Sequence, residues 1–175
     1  MIIKDDADSH KYTDRNFGNN PRILVFAWTT SGIPTIGRSL LRFDLSKIPA
    51  QKTIRKATLK LYGDNTVLNE ITTRLDGNSN AFYIKKITKD WHEKDITWNT
   101  QPCTSSEYQI FVPQSRLPEG TEDYTIDVTE LINSMRHENL GILLQLQQEK
   151  EYSRVSLASN DTPSPRKPVL IIIYR

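Results

Sequence analysis

Hydrophobic positions come in short runs, and most of them alternate with polar residues. Apolar or alternating stretches recur at Ile23–Trp28, Arg38–Leu45, Ala57–Tyr62, Phe82–Thr88, Tyr108–Val112, Tyr124–Val128, Leu140–Gln147, Arg154–Ser159 and Val169–Tyr174. Extended pairing near Ile2–Lys4 and Ile96–Trp98 brings the expected count to about ten strands. In Arg38–Leu45, Leu41, Phe43 and Leu45 take one face, and Arg38, Leu40, Arg42 and Asp44 the other. In Ala57–Tyr62, Ala57, Leu59 and Leu61 point inward and Thr58, Lys60 and Tyr62 outward. A period of two with one dry and one wet face is the signature of an antiparallel sheet. Val169–Tyr174 is apolar on both faces, which predicts a central strand or one beneath a covering loop.

One helix interrupts this pattern. Asp127 can cap a first turn with Glu130 three residues on, and Val128, Leu131, Ile132 and Met135 follow at helical spacing until Asn139-Leu140-Gly141 ends the run. A shorter helical turn is expected around Lys89–His92. The predicted fold is therefore all-β: a jelly-roll-like antiparallel β-sandwich with one or two short helices, forming a single domain over residues 1–175.

Composition narrows the chemistry. The 18 isoleucines and 17 threonines favour pleated, half-buried surfaces. One cysteine and three histidines exclude a disulfide scaffold and a cysteine zinc cluster. With 23 basic against 21 acidic residues, dispersed along the chain, there is no concentrated groove for nucleic acid. No apolar run has the length of a membrane-spanning helix. The start, Met1-Ile-Ile-Lys-Asp-Asp6, lacks the apolar core of a secretory leader, and the expectation is a domain excised from a longer exported protein.

Enzyme motifs are absent: the chain holds no G-x-S-x-G, H-E-x-x-H, phosphate-binding or dinucleotide-binding pattern, and His10, His92 and His137 stand apart. Cys103 follows Pro102 in a turn-like stretch and reads as a half-buried thiol. The acidic start Asp5-Asp6-Ala7-Asp8 offers hard oxygen ligands, and Asp6 is the candidate ligand for a structural Ca²⁺. Sugars present C–H faces that stack on aromatic rings, while their hydroxyls and carboxylates pair with polar and basic groups. On that chemistry the candidate ligand-binding residues are Trp28, Arg38, Arg42, Lys60, Tyr83 and Lys85.

The order of motifs adds a resemblance. Asp6-Ala7, Asn16-Phe17-Gly18, Arg38 through Pro49 with its Phe43-Asp44-Leu45, Trp91-His-Glu93-Lys-Asp-Ile-Thr97-Trp98-Asn99, Asp127-Val-Thr129 and Asn139-Leu-Gly141 follow one another along nearly the whole chain. This progression resembles the DNRLRE (disaggregatase-related) domain family, which overlaps carbohydrate-binding module family 96. The resemblance implies a jelly-roll sandwich in extracellular or cell-surface proteins that binds polysaccharides, including uronic-acid polymers. It also implies neighbouring domains of a larger chain as partners, and it reinforces Asp6 as a metal ligand. The functional expectation is a non-catalytic accessory domain recognising an acidic polysaccharide. The alternatives are a structural or adhesion module with no sugar site and a β-sandwich polysaccharide lyase. Trp91 and Trp98, beside Ile87 and Ile96, read as core anchors rather than sugar platforms.

Overall fold

A computed structural model describes residues 1–5, 12–64, 78–116 and 122–175. Ten strands and one helix are present among them: β1 Ile2–Asp5, β2 Arg22–Thr30, β3 Ile33–Leu41, β4 Ile54–Leu61, β5 Phe82–Ile87, β6 Thr104–Val112, β7 Tyr124–Asp127, α1 Thr129–Ser134, β8 Ile142–Leu146, β9 Ser153–Ala158 and β10 Val169–Tyr174. They build a sandwich-like fold of two antiparallel sheets. The larger runs β6-β5-β8-β3-β2-β9 with β1 added along β3, and the smaller runs β10-β4-β7. No helix among the described residues is long and apolar enough to cross a membrane.

The alternation in the sequence becomes the core. Ile23, Val25 and Ala27 of β2, Phe82 and Ile84 of β5, Ile142, Leu144 and Leu146 of β8 and Val155 and Leu157 of β9 meet Ala57, Leu59 and Leu61 of β4 across the sandwich. Burial of such side chains stabilises the fold by roughly 1.5–3 kcal/mol each. α1 closes this cluster with Leu131, Ile132 and the following Met135. Its N-cap position is held by Val128, one residue later than the sequence suggests, while the Asp127 carboxylate accepts from the Thr129 N–H and hydroxyl at 2.9 and 2.6 Å. Those bonds, the hydroxyl first, hold Asp127 below the usual carboxylate range.

A second, smaller core lies on the outer face of the large sheet. Ile2, Leu40, Ile87, Ile96 and Leu143 are buried there, with Trp91, Trp98 and Leu140 packed against them. β8 is thus buried on both faces, which explains its nearly continuous apolar run.

Several expectations change. β3 ends at Leu41 rather than Leu45, because Phe43 and Leu45 pack against the main core from a loop instead of a ladder. Ile96–Trp98 is not a strand, and Lys89–His92 is not a helix. A turn over His92–Ile96, with the Ile96 N–H donating to the His92 carbonyl at 3.0 Å, takes the place of both. β10 is an edge strand: Leu170 and Ile172 face the core, but Val169, Ile171 and Ile173 are exposed. Cys103 is exposed rather than half-buried.

Candidate functional site

The outer face of the large sheet gathers the aromatic and cationic side chains. Register places Tyr83 of β5 opposite Phe111 of β6 on one side and Gln145 of β8 on the other. Their chain neighbours Phe82, Val112, Leu144 and Leu146 all point into the core, so Phe111, Tyr83 and Gln145 form one outward row across three strands. The two rings lie 5.8 Å apart, tilted by 56°, and Phe111 is 51% exposed. Lys85, two residues along from Tyr83, shares that face. Its ammonium donates to Gln145 Oε1 at 3.1 Å and stands 5.7 Å from the Tyr83 ring centre. A flat, partly apolar surface beside a positioned cation is what a carboxylated sugar ring requires.

Beside this row the two tryptophans roof the second core, and each carries an arginine on its ring. Arg38 sits 4.5 Å from the Trp98 centroid. Its Nε and Nη2 donate to the Glu149 carboxylate at 2.7 and 2.9 Å, and its Nη1 to Gln101 Oε1 at 2.8 Å. Arg42 sits 4.9 Å from Trp91 and donates to Asp90 at 2.8 Å and to the Trp91 carbonyl at 3.1 Å. The Trp91 N–H, followed by the Arg42 guanidinium, holds the Asp90 carboxyl below its ordinary range. Trp91 Nε1 in turn donates to the Leu140 carbonyl at 2.7 Å. These contacts pin the segment between β5 and β6 onto the sheet, with Arg38 bridging it to the loop after β8. The tryptophans are anchors here, as expected.

A second aromatic–cation group stands at the β2–β9 side of the same sheet. Trp28 is half-buried, meets Tyr152 edge to face at 5.3 Å and has the Arg154 guanidinium 5.9 Å from its ring. Next to it on this face, the Phe26 ring lies over Gly37 so closely that a Cβ there would collide with it.

The structure thus brings Tyr83 and Lys85 together and sets Arg38, Arg42 and Trp28 on the same large sheet or the loops that cover it. It does not bring Lys60 to them. Lys60 lies on β4, between Val169 and Thr125 on the outward side of the small sheet. Asp6 lies outside the described residues. Its neighbour Asp5 is buried and tied to a turn: Oδ1 accepts from the Thr13 hydroxyl at 2.7 Å and Oδ2 from the Tyr12 N–H at 3.2 Å. Burial pushes this carboxyl up, but those hydrogen bonds outweigh it and leave the group below the ordinary range. Among the described residues no three His, Cys, Asp or Glu side chains are placed to hold a metal ion.

Phe111 and Gln145 escape a reading of one strand at a time. The alternation of Ile110 and Val112 inward marks Phe111 as outward-facing, but only the ladder sets it against Tyr83. The model of carbohydrate-binding module family 96 matches residues 4–174. That is nearly the full length, and the chain belongs to this family. No curated protein matches it at a significant level.

Proposed function

From membership in a family of carbohydrate-binding modules, we propose that this protein is a non-catalytic accessory domain that binds an acidic polysaccharide on the outer face of its large sheet. The observation that carries this reading is the Phe111–Tyr83–Gln145 row with Lys85 fixed beside it. The two rings supply the stacking surface for one or two sugar units. The Lys85 ammonium pairs with a sugar carboxylate, and the Gln145 amide hydrogen-bonds ring hydroxyls. Trp28 with Arg154 offers a second contact point for a longer chain on the same face. Arg38 positions the neighbouring Trp98 loop, since three of its donors are already engaged within the protein. An extracellular or cell-surface setting beside other domains of a larger chain fits this role.

Affinity electrophoresis through gels containing a polyuronate or a neutral glucan tests the proposal. Retardation in the polyuronate gel alone, relieved by Tyr83→Ala with Phe111→Ala, is the expected result. Equal mobility in both gels, for wild type and variant alike, would sink it. A lyase instead of a binder would release unsaturated products detectable by ultraviolet absorbance; the proposal expects none.

A second reading, an adhesion or structural module without a sugar site, is favoured by the exposed Val169, Ile171 and Ile173. That aliphatic stripe is the kind of surface a neighbouring domain covers.

A further inference from the structure

A cleft of about 640 Å³ opens between the loop after β3 and the segment after α1, and none of Tyr83, Lys85, Phe111 and Gln145 lines it. This volume is typical of small-molecule sites. Its apolar lining comes from Phe43, Leu45 and Ile48, which pack against the main core. Arg42, Arg136, His137 and Asp44 complete the wall.

The walls are built and held. Arg136 Nη2 donates to the Pro49 and Ala50 carbonyls at 2.8 and 2.6 Å, tying the loop to the end of the helix. Asn139 Nδ2 donates to the Phe43 carbonyl and its Oδ1 accepts from the Gly141 N–H, which closes the other side. Asp44 Oδ1 accepts from the Ser46 hydroxyl and N–H at 2.6 and 2.9 Å. These two bonds hold the carboxyl below its ordinary range, so it is an anion near neutrality. The polar residues that line the cleft keep unused hydrogen-bonding capacity. Nη1 and Nε of both Arg42 and Arg136, and Oδ2 of Asp44, have no hydrogen-bond partner among the described residues. His137 is exposed at the rim.

We propose that this cleft is a second saccharide site, which takes a short carboxylated sugar. Two guanidinium groups, each with Nε and Nη1 still open while Nη2 is engaged, can each give a carboxylate one charge-assisted hydrogen bond. The one carboxylate acceptor, Asp44, suits sugar hydroxyls, which are donors. The apolar floor suits the C–H face of a pyranose. A ligand with anionic charge alone would meet repulsion from Asp44; one with hydroxyls alone would give the arginines neutral acceptors in place of a charge-assisted bond. The inference rests on the carbohydrate reading but not on the Tyr83 platform.

The test is a titration of the isotope-labelled protein, followed by amide NMR, with digalacturonate and with a neutral galactose disaccharide. The expected result is that digalacturonate shifts the amides of Asp44–Ser46 and Arg136–Asn139, and that the neutral sugar binds roughly tenfold more weakly. These shifts should persist in the Tyr83→Ala/Phe111→Ala protein. They should weaken by roughly tenfold in Arg42→Gln, the loss of one charge-assisted contact. His137→Ala, at an exposed position that leaves the fold alone, should weaken them by a smaller factor and serves if Arg42→Gln disturbs Trp91. Shifts confined to Tyr83, Lys85 and Phe111, equal responses to both sugars, or unchanged binding in both Arg42→Gln and His137→Ala would overturn the cleft site. A cleft that responds while polyuronate gels do not retard the protein would instead overturn the platform.

Discussion

Both outer faces of the sandwich carry cations, and they differ in what stands next to them. Around the large sheet four cations have a ring beside them: Lys85 has Tyr83, Arg154 has Trp28, Arg38 has Trp98 and Arg42, just past β3, has Trp91, while Arg22 of β2 pairs with Asp64 instead. On the small sheet Lys56 and Lys60 stand opposite Ile173 and Val169 of β10, with no aromatic ring in those pairs. A branched aliphatic side chain presents no flat face to a pyranose, so these cross-strand pairs offer the charge no stacking surface. The difference shows that a basic residue on a wet strand face says little about ligand binding until its cross-strand neighbours are known.

The comparison can be broken in several ways, beginning with the largest effect. Gly37→Ala should destabilise the large sheet by about 1–3 kcal/mol, read as a lowered thermal midpoint, because the new methyl must displace the Phe26 ring. A midpoint equal to wild type would mean that the Phe26 ring yields freely. Arg38→Met keeps the apolar stem but removes both the bidentate bond to Glu149 and the charge on Trp98. The expected cost is about 1–2 kcal/mol in urea unfolding, and a neutral outcome would show that the Trp98 loop is held by packing alone.

Binding effects come next. Tyr83→Ala and Phe111→Ala should each weaken polyuronate binding by about 0.5–1.5 kcal/mol, a few-fold to tenfold, without lowering stability comparably. Isothermal titration of each variant measures this. An acid limb follows from Asp5. Its carboxyl sits below the ordinary range in the folded protein, so its bonds stabilise the fold above the unfolded value near about 4. That stability is lost as pH falls through the folded value. Asp5→Asn should therefore lower the thermal midpoint at neutral pH and narrow its gap to wild type in acid; a constant gap across pH would contradict it. The smallest effect belongs to Lys60→Ala, which should change polyuronate binding by less than about twofold, since its cross-strand partners Val169 and Thr125 are not aromatic.

Much of the fold is legible in the alternation of residues, because inward positions of β4 and β8 are apolar and core packing selects for that. The pattern misleads where burial has other origins. Phe43 and Leu45 keep the alternation of β3 beyond its last ladder pair, since a loop can also pack inward. β10 reads as central because both faces are apolar, yet no rule of local chemistry reveals that its second face is uncovered. The site is less legible still. Tyr83 and Lys85 are two apart on one strand, and their shared face follows from period two. That Phe111 and Gln145 complete the row depends on which strands become neighbours. Lys60 is correctly outward, but each sheet has an outward side, and a single strand does not say which sheet it joins.

The most direct test of the account is one isothermal titration series with a polyuronate against wild type, Tyr83→Ala/Phe111→Ala and Lys60→Ala/Ile171→Thr. Weakening by roughly tenfold or more in the first variant, with the second within about twofold of wild type, is the predicted result. Unchanged affinity in the first variant with weakened affinity in the second would place recognition on the small sheet and contradict the account.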